Sequence, residues 1–383
     1  MGEIRVGLVG YAFMGRAHSN AYRQIPFYFP EIESKPVLKA LCGRSPEPLA
    51  QAAAVMGWEE TETDFDTLVA CDDIDLIDIT TPNNVHAEMV IKAAQAGKHV
   101  FCEKPLAMSL AEAREAQEAV EAAGVVNMIC HNYRRAPAVS LAKQMIDDGA
   151  LGTIYHWRSQ YLQDWLVDPQ APAVWRTQKE IAGSGALGDL LAHSIDLALW
   201  LVGDIERVCC DMETFVDERP PLGGSGEQIK VDVDDGVVAL ARFANGALGT
   251  MEATRFAPGH RNYNFFEING SGGSLRFNLE RMNELEYYDC ADSDGQQGFR
   301  VIQTTEGGHP FMGVSDNGGR YWPPGHIIGY EHTFINTVAD LLKGIEAGES
   351  PAPTFADAVK TQAILEACEN SAEAGGWAEV EKG

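Results

Sequence analysis

Over the first 130 residues, apolar and polar positions switch between two periods. Runs of consecutive apolar residues at 4–9, 37–42, 76–79, 99–102 and 125–129 have the length of strands buried on both faces. Between them lie stretches with helical spacing at 13–24, 46–56, 64–70, 85–96 and 109–123. Ser45 with Pro46 behind it, and Asp64, are helix-starting residues, and Gly97 is a helix-ending one. Strict alternation of strand and helix predicts an α/β, doubly wound parallel sheet.

From about residue 152 the pattern changes. Segments at 154–161, 207–215, 236–243, 247–254, 265–269 and 274–278 read as strands, with Asn245-Gly246 and Gly272-Gly273 as tight turns. One helix over 185–201 interrupts them, 291–328 reads as a long ordered loop, and helices at 329–343 and 355–374 close the chain. This second part is expected to be α+β, with a large, open, mostly antiparallel sheet. The expected boundary lies between 130 and 131, with helix 355–374 packing back on the first domain.

Composition acts mainly by exclusion. A net charge of −27 over 383 residues disfavours nucleic acid and anionic membranes, both of which call for clustered Lys and Arg. No apolar run approaches the roughly 20 residues that span a bilayer. Met1-Gly2-Glu3 leads straight into the first strand without a basic or apolar leader. The eight cysteines show no C-x-x-C spacing, and Cys209-Cys210 are adjacent, so reduced thiols in a cytoplasmic protein are expected.

The chemistry begins at Gly10-Tyr11-Ala12-Phe13-Met14-Gly15, directly after the first strand. This is a near-match to the dinucleotide fingerprint, with Ala12 in place of the middle glycine; a plain strand–turn–helix is the alternative. The second strand ends in Gly43-Arg44-Ser45, without the acid that holds the ribose of NAD. Arg44 and a hydroxyl at a helix N-terminus suit a 2′-phosphate, which favours NADP over NAD; a solvated arginine is the alternative. Thr81-Pro82-Asn83 ends a strand where a cofactor would lie, and His86 follows as a surface or packing residue. Phe101-Cys102-Glu103-Lys104-Pro105 delivers a lysine at a strand's carboxyl end, the edge where open parallel sheets bind ligands.

A second cluster runs from Gly183 to Asp196. Asp189 and His193 stand four residues apart on one helical face, in a segment that is otherwise apolar. They read either as a catalytic pair or as satisfied core groups. No metal is expected, since no further ligands follow at recognisable spacing. A third region, Asn132-Tyr133-Arg134-Arg135, Gln163-Asp164-Trp165 and Trp175-Arg176, mixes flat aromatic faces with groups that bind hydroxyls. His18 and His326 are weaker members of it.

Taken together, these motifs resemble the glucose–fructose oxidoreductase / inositol dehydrogenase / rhizopine-catabolism (GFO/IDH/MocA) family of NAD(P)-dependent oxidoreductases, from residue 4 to about 372. Within it, Asn132 to Arg135, Tyr161 to Trp165 and Gly325-His326 to Glu331 are similar to the levoglucosan dehydrogenase branch. The resemblance implies a Rossmann domain over 1–130 and a substrate-binding and oligomerisation domain over 131–383. It implies Lys104, Asp189 and His193 as catalytic residues. The cofactor set would be Gly10, Ala12, Phe13, Met14, Gly15, Gly43, Arg44, Ser45, Thr81, Pro82, Asn83, His86, Glu103, Lys104 and Asn132. Substrate would meet Lys104, Tyr133, Gln163, Asp164, Trp165, Trp175, Arg176, Asp189, His193 and His326. His193 as general base is one assignment and Lys104 as the base its rival. The expected substrate is a neutral pyranose-type sugar oxidised at the 3-hydroxyl, and a homo-oligomer, dimer or tetramer, is expected. Inositol or polyol oxidation, NAD-dependent glycoside hydrolysis and a non-catalytic sugar sensor are the competing readings.

Overall fold

The computed structural model describes residues 2–313 and 319–382. Its first elements are β1 (Glu3–Val9), α1 (Phe13–Tyr28), β2 (Lys35–Cys42), α2 (Pro46–Met56), β3 (Glu60–Glu62), α3 (Phe65–Val69), β4 (Leu76–Ile79), α4 (His86–Gln95), β5 (His99–Cys102), α5 (Leu110–Ala123) and β6 (Asn127–Ile129). The strands form one sheet in the order β3-β2-β1-β4-β5-β6, with every neighbouring pair parallel. Val6, Leu8, Ile77, Val100 and Phe101 are fully buried, as consecutive apolar runs between two helical layers should be. The expected doubly wound sheet is present. Strand order reverses between β1 and β4, which opens a crevice at their carboxyl ends. β3 escaped the hydrophobic pattern because Glu60-Thr61-Glu62 is a polar edge strand, paired to β2 through its backbone and a Lys39–Glu60 ion pair at 2.6 Å.

The chain continues through α6 (Pro137–Asp147), β7 (Ile154–Leu162), the short α7 (Lys179–Ala182), α8 (Ala192–Leu201), β8 (Ile205–Glu213), β9 (Glu218–Arg219), β10 (Ile229–Lys230), β11 (Gly236–Phe243), β12 (Leu248–Thr254), β13 (Tyr263–Gly270), β14 (Gly273–Asn278), β15 (Glu284–Asp289) and β16 (Arg300–Gln303). Then come α9 (Glu331–Ala347), α10 (Phe355–Ala374) and β17 (Trp377–Glu379). The large sheet runs β16-β15-β14-β13-β7-β12-β11-β8-β17, antiparallel throughout except at β7–β12. It is open and mostly antiparallel, as expected. The stretch 291–328 is not loop alone: β16 lies within it and pairs with β15 through the backbone, with only Ile302 partly covered. Residues 314–318 of that stretch lie outside the described residues.

Contacts divide the molecule into two units, Met1–Arg135 with Gly329–Val359, and Ala136–Ile328 with Lys360–Gly383. The division falls inside α10, so only its first turn belongs with the parallel sheet. In the first unit the returning segment covers the sheet edge at β6. Asn127 Oδ1 accepts from Phe355 N–H at 2.9 Å, and Ile129 N–H donates to the Pro353 carbonyl at 3.0 Å. No helix among the described residues is long and apolar enough to cross a membrane, and all eight cysteines are free.

Candidate active site

In the first unit, the crevice at β1 and β4 carries the glycine-rich turn. Gly10 has φ +99°, and a Cβ there would lie 2.8 Å from the Thr80 carbonyl oxygen. A Cβ on Gly15 would lie 2.1 Å from the Gly10 carbonyl oxygen, so α1 can approach this closely only with glycine. Ala12 precedes α1 without a side-chain cap, and the first turn holds no acid. Its orphan N–H groups and positive dipole end are therefore available to an anion. Ala12 and Phe13 are exposed and Met14 is half-exposed at this turn. These features fit the pyrophosphate of a dinucleotide.

At the end of β2 the geometry adds a point the sequence did not carry. A Cβ on Gly43 would lie 2.3 Å from Tyr11 Cε1, so the Tyr11 ring fills the space that the glycine opens. Arg44 and Ser45 are exposed, and the Ser45 side chain makes no capping bond to α2. Thr80 Oγ1 donates to the Val9 carbonyl at 2.9 Å, joining β4 to the glycine turn, and Thr81, Pro82 and the buried Asn83 follow. His86 is fully buried, with Nδ1 2.7 Å from the Pro105 carbonyl and Nε2 2.9 Å from the Thr81 carbonyl. Burial pulls its pKa down. It thus pins together the two loops that carry Thr81–Asn83 and Glu103–Lys104.

Lys104 is half-buried, and its backbone N–H donates to Glu103 Oε2 at 3.2 Å. Glu103 in turn meets His18 Nε2 at 3.0 Å, and His18 Nδ1 lies 3.0 Å from both Asp78 oxygens. His18 is thus bonded to Glu103, the residue next to Lys104, within the first unit. Asn132 Nδ2 donates to Thr333 Oγ1 at 2.8 Å, and the buried Tyr133 packs edge-on against Tyr330. Arg134 and Arg135 pair with Asp357 and Asp340.

The second unit carries the other candidates. Asp189 lies in a π-helical turn, Leu187–Leu191, that runs directly into α8, where His193 is buried. Such turns place extra backbone where a side chain must be re-aimed. Asp234 holds the start of this segment: Oδ1 accepts from Gly185 N–H at 2.6 Å and Oδ2 from Leu187 N–H at 2.8 Å. Burial pushes the Asp234 carboxyl up, against the pull of those two bonds. A Cβ on Gly185 would fall 1.7 Å from the Asp234 carbonyl oxygen, which explains the glycine-rich lead.

Asp189 Oδ2 accepts from the fully buried Arg255 at 2.9 Å, with Arg176 Nε at 3.8 Å. Arg176, expected from the sequence, thus shares Asp189 with a second cation, Arg255. The Arg255 guanidinium also lies 5.5 Å from the centre of the Trp165 ring, and Arg176 stacks over Trp175 at 4.2 Å. Tyr161 faces His193 with ring centres 5.8 Å apart, and its hydroxyl donates to Asn262 Oδ1 at 2.7 Å. Gln163 Nε2 donates to the same oxygen at 2.9 Å, and Asp164 pairs with Arg261 at 2.9 Å. His326 is exposed, bonded through Nδ1 to the Pro323 carbonyl at 2.8 Å. Arg255, Asp234 and Asn262 were missed by the sequence. Each is a polar residue near a strand end with no motif around it, and its partner is tens of residues away.

Residues 4–131 match the oxidoreductase family with an NAD-binding Rossmann fold, and residues 139–276 match the GFO/IDH/MocA C-terminal domain. The chain belongs to the GFO/IDH/MocA oxidoreductase family. As a member of that family it is an NAD(P)-dependent oxidoreductase. It is 43% identical to a levoglucosan dehydrogenase of Pseudarthrobacter phenanthrenivorans, with 99% of each chain covered. A levoglucosan dehydrogenase solved in complex with NADH and levoglucosan is 44% identical, with TM-score 0.94 and 99% of each chain covered. An oxidoreductase domain protein from Kribbella flavida is 47% identical, with TM-score 0.95 over the whole of both chains. The two matched GFO/IDH/MocA segments contain Gly10 to Lys104 and Asp189 to Arg255, respectively.

Proposed function

We propose that this oxidoreductase oxidises the 3-hydroxyl of a neutral, levoglucosan-like pyranose. The observation that carries the reading is full-length similarity to a levoglucosan dehydrogenase, joined to a cluster in the second unit where cations are met by carboxylates. There Arg255 is matched by Asp189 and Arg261 by Asp164. Asp164 and Asp189 oppose a phosphate or carboxylate by their own charge, whereas Gln163 and the Trp165 face suit hydroxyls and C–H surfaces.

A nicotinamide cofactor supplies the hydride acceptor when bound at the Gly10–Gly15 turn. The protein must then remove the hydroxyl proton. His193 is assigned as general base, oriented with the substrate by Asp189, and Lys104 as the cation that stabilises the developing alkoxide and relays the proton. Asn132, Glu103, His86, Thr81, Pro82, Asn83, Phe13 and Met14 complete the cofactor site, and Tyr133, Trp175, Arg176 and His326 the sugar site. Arg44 and Ser45 support NADP, while the NADH complexes of levoglucosan dehydrogenase speak for NAD.

The family resemblance supports a reduced cytoplasmic protein, as do its free thiols. A homo-oligomer through the open sheet face is part of the proposal, because Val238, Leu240 and Leu248 stand exposed there. A panel of levoglucosan, other pyranosides, inositols and sugar phosphates, scored for NADH and NADPH formation, tests the function. Highest kcat/KM on levoglucosan or a close pyranoside is expected. Turnover confined to phosphorylated or carboxylated sugars, or product formed without reduced cofactor, would overturn it.

A further inference from the structure

His18 sits fully buried in the first unit, stacked on Phe101 with ring centres 4.9 Å apart. Both of its nitrogens face carboxylate oxygens, Asp78 at 3.0 Å on one side and Glu103 at 3.0 Å on the other. Two carboxylates call for two N–H donors and supply the opposite charge, so the ring is an imidazolium. Tyr22 donates a further bond to Asp78 Oδ2 at 3.0 Å. Glu103 then carries the line onward by accepting the Lys104 backbone N–H. Asp78, His18, Glu103 and Lys104 form a chain of alternating sign: minus, plus, minus, plus. Burying so many charges is costly, and an apolar replacement would usually serve packing as well. The ligand atoms of His18, Glu103 and Cys130 also fall within 4.8 Å of one another, as in a metal site. A metal, however, would need the lone pair of an Nε2 that the geometry engages as a donor.

We propose that His18 is a positioning residue for Lys104: anchored on Asp78, it fixes Glu103, which sets both the backbone at Lys104 and the charge beside its amine. The inference rests on the reading of Lys104 as a catalytic residue. Other titratable groups around the array are Cys130 at the end of β6, His86 on α4, and Tyr133 with Tyr330. Cys130 and Tyr330 carry little charge near neutral pH, because burial pushes Cys130 up to about 12 and Tyr330 well above its ordinary value, while His86 lies between two neutral carbonyls that are the same in wild type and variants.

The array makes a signed prediction. Removing a positive neighbour makes a cationic group harder to deprotonate, and removing a negative one makes it easier. His18→Gln should therefore move the alkaline limb of the kcat–pH profile to higher pH, and Glu103→Gln to lower pH, each by about one unit. The assay uses NAD and the best sugar of the panel above. Both variants should lose at least about tenfold in kcat, with KM for the sugar within about twofold, since misplacement of a catalytic group acts on the chemical step. Trp58→Phe serves as the structural control, because it removes a buried bond to Ser19 next to His18 without touching a charge. It should lower the thermal midpoint and leave the profile unmoved.

Limbs that coincide with wild type, or move in the same direction in both variants, overturn the proposal. If His18→Gln does not fold, the direction and size of the Glu103→Gln shift decide alone, since that variant keeps an amide oxygen for the Lys104 N–H. Lys104→Met separates the two levels. Near wild-type turnover in Lys104→Met removes Lys104 itself, whereas a dead Lys104→Met with unshifted limbs in the other two removes only the role of His18.

Discussion

At the scale of single residues, the reaction asks for a group that takes a proton and a group that tolerates the charge left behind. Lys104→Met is expected to lower kcat by at least about a hundredfold while NADH affinity is kept, because the glycine turn is untouched. His193→Ala should behave alike, and the double variant should cost less than the product of the two, as for members of one relay. Steady-state kinetics with fluorescence titration of NADH check both; additive losses would separate the residues into independent roles. Arg44 gives a second residue-scale test. Arg44→Ala should weaken NADP by about tenfold, the loss of a charge-assisted bond, and leave NAD unchanged. Higher wild-type kcat/KM with NAD than with NADP would overturn the 2′-phosphate reading, and Tyr11 over Gly43 would then be what shapes the end of β2.

At the scale of elements, the segment that carries Asp189 and His193 depends on Asp234. That carboxylate satisfies two amides at the start of a helix, where four N–H groups lack partners. Asp234→Ala should therefore destabilise the protein by about 1–3 kcal/mol, the cost of stranding buried donors. Activity should fall with it, because the π turn is re-seated by the loss. Chemical denaturation and kinetics of the folded variant read the two effects separately, and an unchanged denaturation midpoint would mean that the amides find other partners. Asp234→Asn, which keeps one carbonyl oxygen, should lose less. Elements of this kind are half legible. The 185–201 helix follows from its apolar run, but nothing along the chain marks its π turn, whose start is held by the Asp234 carboxylate from 49 residues away.

At the scale of the whole molecule, buried charge links stability to pH. Burial pulls His18 toward neutrality, but the charge and bond of Asp78 raise its pKa well above the ordinary value. A raised folded pKa stabilises fully below the unfolded value of about 6.5, and the gain is lost as pH rises through the folded value. Glu103 shows the opposite sign. Burial pushes it up, yet the His18 bond, the His18 charge and Lys104 hold it below the usual carboxylate range. Its contribution is present above about pH 4.3 and lost as pH falls through its lowered value. The thermal midpoint should thus decline on both sides of a plateau, and His18→Gln should flatten the alkaline decline. An alkaline slope equal to that of wild type would show that His18 is not the group responsible.

The sequence alone determined the alternation that makes the parallel sheet, the glycine turn, the Lys104 strand end and the Asp189–His193 spacing. All are local: hydrophobic period and turn chemistry act over a few residues, and so can be read along a chain. Edge strands such as β3 and β16 were beyond that reading, because three polar residues, or the two-residue apolar pair Val301-Ile302, held by backbone bonds, leave no hydrophobic period to read. Tertiary structure decided the rest. It returned residues 329–359 to the first unit, gave Asp189 the partner Arg255, 66 residues away, and filled the Gly43 space with Tyr11. It also moved His18 from a loose sugar-site candidate to the centre of a buried charge chain spanning 85 residues. Burial is what makes these pairings matter, since a charge removed from water must find its opposite wherever the fold has carried it.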